Sequence, residues 1–164
     1  MVNPWTITGP RVVLSRPELP WEISGRKVNE GAEVLKRNGR TFVVYSASFC
    51  DTPDYKLGLL ELTGDDPLNP ADWKKYDKPV FERANGVYGP GHNGFFTSSY
   101  TDPNGVLHSE NWFIYHARSV ANTSNGSRTP RMQKLTWNND GSPNFGIATA
   151  TGIDIPAPIN ENAN

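Results

Sequence analysis

The stretch that most constrains this chain runs from Val28 to Ser48. Val28-Asn29-Glu30-Gly31-Ala32-Glu33-Val34-Leu35 is followed by Asn38-Gly39 and then by Thr41-Phe42-Val43-Val44-Tyr45-Ser46-Ala47-Ser48. Both turn residues accept positive φ, so Asn-Gly between two such runs predicts a hairpin closed by a type I′ turn. The predicted strands are 32–36 and 41–48, with Glu30 at the mouth of the hairpin. Strict alternation would turn Glu33 to the opposite face from Glu30, toward solvent.

The flanking sequence adds strands and few helical signals. Trp5–Leu14 reads as a leading strand with Pro10 at an edge or kink, and Tyr55–Leu62 reads as a third strand of the hairpin unit. Turn clusters at Cys50–Asp54 and Gly64–Pro70 bound that strand. Ala71–Trp73 is expected to form a single helical turn. Lys78–Arg83 is expected to be the outer strand, where proline is tolerated because an edge need not donate to a ladder.

The pattern then repeats. Trp112-Phe113-Ile114-Tyr115-His116-Ala117-Arg118 follows Phe42-Val43-Val44-Tyr45-Ser46-Ala47-Ser48 at an offset of 70 positions. His92–Ser98 takes the place of the segment that starts at Glu30, Arg131–Trp137 that of the third strand, and Gly146–Ile155 that of the outer one. Four strands per unit, repeated once, predict an all-β chain made of two β-propeller blades behind a leading strand. The units are about 21–86, carrying Glu30, and about 87–156. A β-sandwich is the other architecture such a pattern allows. A closed propeller needs about four to eight blades, so the chain reads as part of a ring.

Composition narrows the rest. At 164 residues one domain with a real core is expected. A formal net charge of -1 without blocks of like charge gives no case for nucleic acid or an anionic membrane. No stretch approaches the roughly 18 apolar residues of a membrane span, and the opening Met1–Trp5 does not read as a signal peptide. Cys50 stands alone, so no internal disulfide is expected. The sequons at Asn122 and Asn125 permit a secreted origin.

Several motifs in order carry a resemblance. Asn29-Glu30-Gly31, Tyr45-Ser46-Ala47-Ser48, Gly89-Pro90-Gly91-His92-Asn93-Gly94, Trp112–Ala117, and Arg131-x-Gln133 with Trp137 and Asp140-Gly141-Ser142-Pro143 together resemble glycoside hydrolase family 43. Within it they are most similar to α-L-arabinofuranosidases that trim arabinan or arabinoxylan side chains, which are extracellular as full-length enzymes. The resemblance implies the C-terminal part of a five-bladed propeller and an inverting mechanism run by carboxylates. It implies that Glu30 is the general acid, partly buried beside other carboxylates, with the base roughly 6.5–9.5 Å away. Ala32 stands where the family usually has proline.

The family's base and its third, tuning Asp lie upstream of the acid. No matching segment precedes Glu30 here, and Asp51, Asp54 and Asp140 fall in turns after it. One of three catalytic carboxylates is therefore expected, and a non-catalytic carbohydrate-binding or scaffold fragment is the alternative function. An unrelated all-β binding domain is a third. His92 matches an axial histidine near a central cation, often calcium, although calcium prefers oxygen ligands. Phe49, Cys50 and Tyr55 flank the loop that faces sugar in this family, and blade packing accounts for them nearly as well. His116 either packs inside its blade or contacts substrate. Arg131 either reaches a carboxylate or sugar hydroxyl or sits in solvent. The partner expected is an arabinose-containing polysaccharide or oligosaccharide, with self-association or further N-terminal blades covering the exposed inner strands.

Overall fold

The structure is a computed structural model that describes residues 3, 5–6, 8–121 and 127–159. Both sequon asparagines lie outside these residues. Eight strands build two antiparallel sheets, each in the simple order of the chain. The first sheet holds β1 (Asn29–Arg37), β2 (Arg40–Ala47), β3 (Lys56–Leu62) and β4 (Trp73–Lys75). The second holds β5 (Tyr88–Thr101), β6 (Leu107–Arg118), β7 (Thr129–Trp137) and β8 (Pro143–Asn144). These are two propeller blades.

The hairpin forms as its turn residues dictate. Asn38 and Gly39 take φ of 49° and 79°, and Arg37 pairs with Arg40 across the turn. Strand β1 is not regular, however. Gly31 and Ala32 together oppose Tyr45, because Glu30 pairs with Ser46 and Glu33 with Val44. With Gly31 at φ 57° this is a glycine bulge. Ser46 and Val44 share one face of β2, so Glu33 lies on the same side of the ladder as Glu30. Simple alternation fails there because the bulge adds a residue.

Three expected strands change character. Trp5–Leu14 forms no strand among its described residues beyond an isolated bridge between Asn3 and Thr6. Gly9 and Pro10 break the ladder, and the next segment acts as a lid: Leu14 and Trp21 pack on Tyr45, Ala47 and Leu60 at the back of the first sheet. The outer strand of that sheet is β4, not Lys78–Arg83, where Phe81 makes a single bridge to Leu57. In the second sheet the outer strand is β8, not Gly146–Ile155. The carbonyls of Phe145 and Ile147 are taken by the Gln133 side chain instead of a ladder. The helical turn sits at Pro70–Asp72, capped by Asn69.

One core joins the blades. Leu35, Phe42, Val44, Leu57 and Leu59 of the first sheet meet Phe113, Tyr115, Ala117 and Leu135 of the second, with Phe81 and Phe145 at the centre. The Phe81 ring meets Phe113 and Tyr115 edge-on at 5.1 and 4.9 Å. Polar ties close the seam: Arg40 bonds both Glu61 and the Asp140 carbonyl, and Asn85 donates to the Ala148 carbonyl. The seam brings the inner strands β1 and β5 together, and Glu30 stands there.

Candidate active site

Glu30 is exposed, at the start of β1 just ahead of the bulge. A bulge beside a functional side chain re-aims it relative to the regular ladder. The partner of Glu30 is not a second carboxylate but Tyr55, whose hydroxyl donates to Oε1 at 2.9 Å. Tyr55 has no exposed surface, and burial above all holds its hydroxyl well above the usual tyrosine range. It remains a donor at every physiological pH. The same hydroxyl lies 3.5 Å from His92 Nδ1.

His92 is fixed by its backbone. Its φ is 54°, rare for a side chain with a Cβ and costly by about 1 kcal/mol. Two register shifts in β5, on either side of Gly91, accommodate it. Its N–H donates to Ser46 Oγ at 2.7 Å, which ties the second blade to the first. Gly91 is required on packing grounds, since a Cβ there would fall 2.3 Å from the Tyr55 ring. A Cβ on Gly31 would lie 3.1 Å from the His92 imidazole, a tight but less severe approach.

Three rings extend the cluster. Tyr55 stacks on His116 with centroids 5.7 Å apart, and His116 stacks on His92 at 6.0 Å. Arg128 donates from Nη1 to His116 Nε2 at 3.0 Å, which places the imidazole proton on Nδ1. Burial, then the Arg128 charge, then His92, push the His116 imidazole down to about 4. It is therefore neutral near pH 7.

Of the residues singled out in the sequence, Glu30, Tyr55, His92 and His116 come together. Phe49 packs under the Arg26 guanidinium, 4.1 Å from its centroid, and Cys50 is half-buried beside it in the loop leading to Tyr55. Arg131 lies in a separate cleft, bonded to Ser119 and Thr151. The three turn aspartates are engaged elsewhere: Asp51 beside Arg118, Asp54 with Ser24 and Arg83, Asp140 with Ser142. Sequence reasoning missed Ser46 and Arg128. Ser46 was legible, because the repeat places it opposite His116. Arg128 follows a polar loop and carried no signal.

The described residues do not by themselves build a calcium cage. Calcium takes roughly six to eight oxygen ligands, whereas among the described residues no group of three or more His, Cys, Asp or Glu side chains is arranged to hold a metal ion.

The chain is similar to known proteins in both sequence and fold. Residues 1–143 match the profile described as glycosyl hydrolases family 43. The extracellular exo-α-(1→5)-L-arabinofuranosidase of Streptomyces avermitilis is 44% identical over 161 residues, covering 93% of this chain and 32% of that protein. α-L-arabinofuranosidase 43 of Humicola insolens is 43% identical over 165 residues, covering 96% and 32%. The crystal structure of α-L-arabinofuranosidase from Lactobacillus brevis superposes with a TM-score of 0.79 at 36% identity, covering 94% of this chain and 47% of that one. The chain thus spans about a third of the length of the curated relatives it matches.

Proposed function

Because the chain belongs to glycosyl hydrolases family 43, we propose that it is the part of an extracellular α-L-arabinofuranosidase that carries the general acid, Glu30. Its substrates are arabinose-containing polysaccharides or oligosaccharides, as the names of its relatives indicate. The observation that carries the reading is the bond from Tyr55 to Glu30 Oε1. It fixes the carboxyl at the blade seam and leaves Oε2 to hold the transferable proton.

In the reaction, Glu30 passes that proton to the glycosidic oxygen as its bond to the anomeric carbon breaks, and the leaving sugar departs as a neutral alcohol. Water attacks the opposite face of the ring and gives its proton to a base carboxylate. Tyr55 and the imidazole stack keep the acid in place. None of Asp51, Asp54 and Asp140 is positioned as that base, since each is engaged away from Glu30. This favours a second reading, sugar binding without turnover by this chain.

Hydrolysis of arabino-oligosaccharides and of a dinitrophenyl α-L-arabinofuranoside, with Glu30→Gln beside the parent, separates the two. An acid role predicts a loss of about 10²–10⁴-fold on the oligosaccharide. The loss on the dinitrophenyl substrate, whose leaving group needs no proton, should be much smaller. Equal losses on both would remove the acid assignment. Saturable oligosaccharide binding with no turnover by either protein would establish the second reading.

A further inference from the structure

Next to the catalytic cluster lies a second cleft. Pro130, the cross-strand partner of His116, forms part of its wall, and Arg131 follows on β7 opposite Tyr115. The cleft has a volume of about 420 Å³ and is lined by hydroxyls and apolar groups, among them Ser119, Thr129, Thr149, Thr151 and Ile153. Arg131 Nη2 donates to Ser119 Oγ at 2.9 Å and to Thr151 Oγ1 at 3.0 Å, and those hydroxyls lie 3.3 Å apart. Arg131 Nε is buried and meets no acceptor among the described residues.

Among the described residues no carboxylate lines this cleft. Arg40 bonds Glu61 and Arg83 pairs with Asp54, but Arg131 has only neutral hydroxyls against its charge. A guanidinium offers five donors in a planar fork, and its strongest partners are carboxylates and phosphates. Phosphate is the poorer match, because a dianion recruits several cations or a helix N-terminus and Arg131 is the only cation in the lining. The remaining lining has hydroxyls to meet ring hydroxyls and the side chains of Met132, Ile153 and Ile155 to meet an apolar sugar face. We infer that this cleft binds a carboxylated sugar, a uronate residue of an acidic polysaccharide. It rests on the carbohydrate reading above but not on hydrolysis, and it would dock the chain on an acidic polymer beside Glu30.

Calorimetric titration of the chain with a galacturonate trisaccharide tests this. Saturable binding is expected, about tenfold weaker for Arg131→Gln and for the methyl-esterified trisaccharide. Arg131→Lys keeps the charge without the fork and should fall between. Circular dichroism confirms that each variant is folded, and the exposed Thr151, changed to Val, gives a milder loss that does not disturb packing. Glu30→Gln should bind unchanged, so failure of the hydrolysis test leaves this one standing. Absence of binding, equal binding of the ester, undiminished binding by Arg131→Gln, or equal binding of inorganic phosphate would each overturn the inference. Loss of binding in Glu30→Gln would move the uronate to the catalytic cluster and overturn it too.

Discussion

Glu22 has no exposed surface, and its carboxylate is the most heavily bonded side chain near the site. It accepts from the N–H groups of Glu18 and Leu19, from Asn29 Nδ2, from the Tyr45 hydroxyl and from Lys75. Asn29 precedes Glu30, so the lid segment, β2 and β4 all bear on the position of Glu30. Burial pushes the Glu22 carboxyl up, but the bonds from Lys75, Leu19, Tyr45 and Asn29 outweigh it and hold it below its ordinary value of 4.5. His116 is likewise held below its ordinary 6.5, at about 4. In both cases the unfolded chain takes up the proton first, so the stability each contributes is present above the unfolded value and lost as pH falls. Thermal denaturation followed by circular dichroism should show the melting temperature falling from about pH 6.5 toward 4 through His116, and further below 4.5 through Glu22. His116→Gln should flatten the upper window alone; a profile unchanged in that variant would remove His116 as its source. Nothing in Pro20-Trp21-Glu22 announced this hub, because its donors come from four separate parts of the chain.

Among the elements, the segment Lys78–Arg83 shows where sequence pattern and structure diverge. Its alternation fits an edge strand, yet Pro79 limits the ladder and the structure uses Phe81 as the central ring of the inter-blade core. Phe81→Ala should therefore cost about 3–5 kcal/mol in urea unfolding, the range for an aromatic removed from a packed core. A cost near that of an exposed edge residue, under about 1 kcal/mol, would show that the ring is not central. The β1–β2 hairpin was legible because Asn38-Gly39 fixes its register locally. The bulges at Gly31 and around Gly91 were not, since they answer to contacts far away in sequence: Gly31 against His92, and Gly91 against Tyr55. That is also why Glu30 could be picked out while its face relation to Glu33 could not.

At the scale of the whole molecule, the 70-residue repeat has a packing meaning. Tyr45 and Ala47 lie on the back of the first blade, under Leu14 and Trp21, while their counterparts Tyr115 and Ala117 lie on the back of the second, against the first blade. The backs of both blades are thus covered, one by the lid segment and one by its neighbour. The front of the first blade is covered as well, by Phe113 and Tyr115 across the seam. The front of the second is less so: Ile114, the counterpart of the buried Val44, is 45% exposed. The inner strands β1 and β5 are also sheet edges, the positions at which a sheet can pair with a further strand. An apolar position on an open blade face beside unpaired edges favours docking of a further blade, and in a solution of this chain alone the available blade is a second copy. The chain by itself should therefore self-associate on the order of tens of micromolar, a range in which exposed edges and apolar faces pair. Ile114→Lys should shift multi-angle light scattering toward the monomer mass by placing a charge on that face. A single monomer mass for the parent at those concentrations would show that the second blade's front is stable in water without a partner, and that blade docking is not what these residues are for.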